Sequence, residues 1–239
     1  LTTPTYSFVR FGNNKFQLPI VQGDTIAFQV RIDDVGIDTY WSVFLRTSTG
    51  TFATLSNVVI NKEGVVLNVS FTVAAIDDSK TYQIRLIYED ENSNDLHSRF
   101  DSNEFKAMNI ETTVVQYQHF SDFLDFGYET ATVLMNQVRL PFRLYNHIPA
   151  TVTEQYQKSD GQFVSFGNFI NDIYEVETPF MSSQIHKCIQ AMFLHRTIQV
   201  VIDTMLHSIQ LSENYQLEYP ENKNFGLAKA KAKVSATAV

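Results

Sequence analysis

The stretch from Glu175 to Asp203 constrains this chain most, because its pattern changes twice within it. Ile185, Cys188, Ile189, Met192 and Phe193 recur at the spacing of one helical face, and His186, Lys187 and Gln190 take the other. Thr178 before Pro179 marks a start, with Ser182 and Ser183 as later caps. His195 and Arg196 then place positive charge at the carbonyl end, and Thr197 to Ile202 turns to β-branched residues that suit a strand. The spacing predicts one amphipathic helix near residues 179–195, held between strands.

Ahead of it the chain reads as β. Strands are expected at Thr5–Phe11, Thr25–Ile32, Tyr40–Thr47, Phe52–Val59, Val65–Val73, Thr81–Tyr88 and Phe105–Ile110, separated by Gly, Asn, Asp and Ser turns. Ile26, Phe28, Val30 and Ile32 alternate onto one face. Beyond Glu111, further strands are expected at Val114–Tyr117, in Thr132–Tyr145 with Pro141 marking an edge or bulge, and at Thr151–Tyr156, Gln162–Phe166 and Asp172–Glu177. After the helix come Thr197–Ile202, Leu206–Leu211 and Tyr215–Tyr219. Residues 120–126 fit either a helical turn or an apolar connector. The fold class is therefore mainly β, in two parts: residues 1–112 as a β-sandwich, and 113–239 as a β-rich domain with a single helix.

The run Asp78-Ser79-Lys80-Thr81-Tyr82-Gln83-Ile84 resembles the Asp-x-x-x-Tyr-x-Cys lead-in to strand F of immunoglobulin-like domains, with Ile84 in the cysteine's place. The resemblance implies that Tyr82 is the corner tyrosine and that Trp41, the single tryptophan, is the buried Trp of the third strand. It supports a fold and carries no activity.

The end of the chain has an unbroken period of two. Ala228, Ala230, Ala232, Val234, Ala236 and Ala238 alternate with Lys229, Lys231, Lys233, Ser235 and Thr237. Ala and Lys favour helix individually, but a helix would scatter the lysines around its circumference. The pattern predicts a strand: an edge strand protected by lysines, or a basic face meeting an acidic neighbour. On the second reading Lys229, Lys231, Lys233, Ala230 and Ala232 form an assembly interface.

Composition narrows the classes of function. A net charge of −8 disfavours general attraction to nucleic acid or to an anionic membrane, and no apolar run approaches the roughly 20 residues that span a bilayer. Cys188 is the one cysteine, so no internal disulfide forms. Leu1 rather than Met at the start leaves open a segment removed ahead of it. His186 and Cys188, two apart on a helix, point in nearly opposite directions and do not share a metal. Asp90 to Asp101 has calcium-loop spacing but carries Asp95 where the turn needs Gly, and no Glu at position 12. Neither a phosphate-cradling Gly-rich loop nor a nucleophile or zinc motif occurs, so no catalytic residue, cofactor or metal is expected.

The segment from Tyr156-Gln157-Lys158-Ser159-Asp160-Gly161 through Tyr174-Glu175-Val176-Glu177-Thr178 and Met181, then the helix, Leu217-Glu218-Tyr219 and the Ala-Lys end, is similar to a module in virion proteins of Bacteroidetes phages and prophages. The similarity covers about the last hundred residues. It implies a tail, baseplate or neck component of the virion, a homo-oligomer docking to other virion proteins, and it transfers no functional residue. The alternative is a receptor- or glycan-binding surface module on the same β domains. An enzyme would require converging polar groups in a deep pocket.

Overall fold

The computed structural model describes residues 7–11, 16–32, 39–90, 98–118, 135–195, 197–202, 204–220 and 227–239. Seven strands come first: β1 (Gln17–Pro19), β2 (Thr25–Arg31), β3 (Thr39–Thr47), β4 (Thr54–Glu63), β5 (Val66–Ala75), β6 (Thr81–Asp90) and β7 (Ser98–Lys106). Next are β8 (Thr113–Gln118), β9 (Asn136–Leu140), β10 (Arg143–Gln157), β11 (Phe163–Glu177), β12 (Met181–Ser182) and the helix α1 (Ser183–Met192). The chain ends with β13 (Thr197–Ile202), β14 (Met205–Leu211), β15 (Gln216–Glu218) and β16 (Leu227–Ala238).

The first half is an immunoglobulin-like sandwich by its strand pairing. β2, β5 and β4 lie side by side in one sheet, and β7, β6 and β3 in the other, with β1 joining the second sheet parallel to β7. This matches the B-E-D and C-F-G arrangement of that fold. Ile26, Phe28 and Val30 of β2 and Leu67, Val69, Phe71 and Val73 of β5 are buried between the sheets, with Leu45, Ile84, Leu86 and Phe105 from the opposite side. Tyr82 is buried, and its hydroxyl oxygen accepts the backbone N–H of Asp77 at 3.0 Å, so the tyrosine corner forms.

Trp41 does not occupy the core position that the resemblance implied. Leu45 is the residue paired with Ile84, whereas Trp41 pairs with Tyr88 near the end of the sheet. There it is half-buried, packed on Tyr88 and Phe100. A second correction concerns β7, which runs Ser98–Lys106 and not Phe105–Ile110. Its sequence is polar, but pairing with β6 satisfies it: the Ser102 hydroxyl accepts the Ile84 N–H, and Arg85 bonds Asp101. Non-local partners override local propensity here.

The sandwich is not closed off from the second half. The larger sheet continues from β2 through β9, β8, β13, β14, β16 and β11 to β10, with β12 and β15 attached to β16. The expected boundary at residues 112 and 113 falls in the connection from β7 to β8. The apolar face also continues, through Val138, Leu140, Val115, Tyr117, Ile198, Val200, Ile209, Val234 and Val176. In this half that face is covered by α1 and by the segment at residues 7–11, where Phe8 sets its ring edge against Tyr117.

The helix has the predicted stripe, with Ile185, Cys188, Ile189 and Met192 buried, but it is shorter at the front. Residues 178–182 remain extended because they bond to β16: Thr178 exchanges bonds with Ala230, and Met181 and Ser182 pair with Ala228 and Leu227. Thr178 therefore caps no helix. Ser182 holds the N-cap position without a side-chain bond, and His195 accepts the task at the other end, its Nδ1 within 3.0 Å of the carbonyls of Ala191 and Met192. Arg196 and residues 120–126 lie outside the described residues.

Candidate functional site

Strand β16 is central, not an edge. β11 pairs with its residues Lys231–Ala236 on one side, and β14 and β15 pair along the other. Its alternation is nevertheless the one read from the sequence. Ala228, Ala230, Ala232, Val234 and Ala236 face the core, and the lysines face out.

The small side chains have an internal reason. The Nε2–H of His186 donates to the carbonyl of Ala228 at 2.7 Å, and the Ala230 N–H donates to the Thr178 hydroxyl at 2.7 Å. Helix and turn approach the strand this closely because only methyl groups intervene. Ala230 and Ala232 are thus covered by their own chain and are not available to a neighbouring subunit. Helical spacing puts His186 on the polar face of the helix, yet it is buried. Its Nδ1 accepts from the Tyr215 hydroxyl at 2.8 Å, which is consistent with a neutral ring protonated at Nε2. Burial holds the His186 pKa below its ordinary value and pushes that of Tyr215 up.

The lysine face is a ladder of opposite charges. Lys229 and Lys231 reach Glu218 at 3.2 and 3.0 Å, and Lys233 reaches Glu213 at 2.7 Å. Hydrogen bonds to these carboxylates raise the pKa of Lys231 and Lys233, while the lysines lower that of Glu218. Exposed pairs of this kind add little stability, and a neighbour competing for the lysines would displace bonds already made.

Beside Lys229 an open cleft of about 340 Å³ is lined by Ile110, Glu111, Arg143, Glu177 and Phe180. Arg143 bonds Glu177 at 2.6 Å and stacks over Tyr145, so the positive charge there is internally met. Among the described residues no group of three or more His, Cys, Asp or Glu is placed to hold a metal, and no helix is long and apolar enough to cross a membrane. His186 and Cys188 go to separate partners, the thiol donating to the Ser7 carbonyl at 3.7 Å.

The feature that sequence reasoning missed is the hairpin β10–β11. Each arm has 15 residues, where the sequence pattern predicts the separate pieces Thr132–Tyr145, Thr151–Tyr156, Gln162–Phe166 and Asp172–Glu177. Only Asp172–Glu177 of β11 lie against β16, so from Ala150↔Asn171 to Gln157↔Phe163 the two strands have only each other among the described strands. The tip is a tight turn in which Gly161 has φ +85°, the Gln162 N–H donates to Asp160, and Phe163 stands 67% exposed. Nearly all of the hairpin's pairing is local, but the split at Gly167 and the bulge between Glu154 and Gln155 broke the apparent alternation.

No protein family and no curated protein matches the sequence. Among solved structures, the crystal structure of Dpr2 Ig1-Ig2 in complex with DIP-Theta Ig1-Ig3 has a chain that is 9% identical. The match covers 98% of this chain and 90% of that one, with a TM-score of 0.24. So loose a superposition says nothing about activity or partners, and the immunoglobulin-like arrangement rests on the strand pairing itself.

Proposed function

We propose that this chain is a structural protein of a tailed-phage virion, a tail, baseplate or neck component that acts by self-assembly and by docking to other virion proteins. The observation that carries the reading is the hairpin β10–β11, most of which lies beyond the shared sheet. A two-stranded ribbon is at best marginally stable alone in water, so one of this length is best accounted for by contact with another molecule. The phage context comes from the similarity of residues 156–239 to virion modules. Location in the virion follows from it.

The exposed Tyr156 and Phe163 near the hairpin tip favour one alternative, a receptor- or glycan-binding module that uses the tip as its contact. Fractionation of purified particles separates the two. A virion structural protein is recovered in many copies per particle and stays with the tail or neck on disassembly. Absence from particles, or binding of the isolated chain to host-surface glycans that Phe163→Ser abolishes, would replace the structural reading.

A further inference from the structure

The self-assembly reading leaves open which surfaces meet, and the two ends of the larger sheet are suited to each other. At one end stands the hairpin. Nine residues, Phe163–Asn171, pair only with β10 among the described strands and reach about 30 Å at the usual rise per residue. Ala150–Gln157 and Phe163–Asn171 together hold one charged residue, Glu154, among apolar and small polar ones, and the turn between them adds Lys158 and Asp160.

At the other end of the strand order lies β4, next to the β3 edge of the smaller sheet. There Phe44 and Phe52 set their rings 5.6 Å apart, both exposed, with the Arg46 guanidinium 6.0 Å over Phe52. Val58 and Val59 of β4 are exposed as well. An apolar patch flanked by a cation is complementary to a tip that carries Phe163 and Asp160. The tip belongs to the first of ten consecutive strands, about 45 Å at ordinary spacing from the last, β4, and the patch lies on β3 and the residues leading into β4, so the tip's counterpart is placed on another molecule.

We infer that the β10–β11 hairpin docks its tip on the Phe44–Phe52 patch of a second copy of this chain, in a head-to-tail contact. A contact between two different surfaces repeats from copy to copy, closing into a ring or running on as a filament. Both sheet edges carry devices against direct strand addition, Pro149 with a bulge on β10 and the Ser56/Val59 bulge on β4. Side-chain docking of the tip is therefore favoured over extension of the sheet. This inference rests on the self-assembly reading and names the contact within it.

The test uses the full chain and two variants, Phe163→Lys at the tip and Phe44→Ser/Phe52→Ser at the patch, with sedimentation velocity as the readout. The native chain is expected to assemble, and each variant alone to lose at least tenfold of the assembled fraction. Mixed in equal amounts, the variants should form a pair and nothing larger, because each supplies one intact surface. If the double patch variant unfolds, Phe52→Glu, at a side chain 57% exposed, takes its place. A variant that assembles like the native chain, or a mixture that stays monomeric, overturns the tip-to-patch contact and leaves self-assembly standing. A native chain that is monomeric throughout overturns both the contact and self-association, while particle fractionation still decides the virion reading.

Discussion

The guanidinium of Arg139 grips the carboxylate of Asp24 across 115 residues of sequence, with Nη2 to Oδ1 at 2.7 Å and Nε to Oδ2 at 2.9 Å. Asp24 ends the turn into β2 and accepts the Val21 N–H as well, while Arg139, on β9, also donates to Thr112. One ion pair thus joins the turn of the sandwich, the start of the second half, and the strand that connects their sheets.

Arg139→Ala is expected to destabilise the fold by about 3 kcal/mol, because it leaves the carboxylate of Asp24, only 6% exposed, buried without a counter-charge. Asp24→Asn combined with Arg139→Gln should cost less than that single change. Chemical denaturation of the three variants measures both. Equal losses in the single and double variants would show that the pair adds only packing.

His186 sets a pH dependence. Burial depresses its folded pKa below the ordinary 6.5, so the neutral form is favoured in the folded chain. Its contribution is present above pH 6.5 and declines as pH falls from there through the lowered folded value, since protonation ends the bond accepted from Tyr215. Thermal unfolding between pH 7 and 5 should fall more steeply in the native chain than in His186→Gln. Parallel curves would remove His186 from the account.

Cys188 is expected to be inert in the folded chain. Its side chain is buried and burial pushes the thiol up to about 11, so little thiolate exists and none is accessible near neutrality. A thiol-specific chromogenic reagent should react with one equivalent only after denaturant is added. Rapid reaction under native conditions would mean that the helix opens without global unfolding.

Removal of Lys229–Val239 should abolish cooperative folding of the second half. β16 is bonded on both sides, and its loss exposes β11 and β14 together with the core face of α1. Circular dichroism and thermal unfolding of the truncated chain test this. By contrast Lys233→Gln, at an exposed ion pair, should leave the thermal unfolding of the chain close to native.

Periodicity made the faces of the strands legible. Ile26, Phe28 and Val30 point inward as their alternation required, Ile189 lies in the buried stripe, and Tyr82 forms its corner because that bond is closed within five residues. The alternation at the end of the chain was legible in the same way, with its alanines on the core face. Period two identifies the face of a strand, however, and not its neighbours, so an edge strand and a central strand read alike. Only the tertiary structure put β16 between β11 and β14, gave its lysines to Glu213 and Glu218, and covered its alanines with α1. His186, Asp24 and Arg139 are polar, and their residue types predict exposure. Each is drawn inward by a partner 29 or more residues away, and bonds at that separation leave no mark on local pattern. The hairpin's length was decided similarly: the bulges that split its alternation are absorbed by the facing strand, which supplies the hydrogen bonds that continue it.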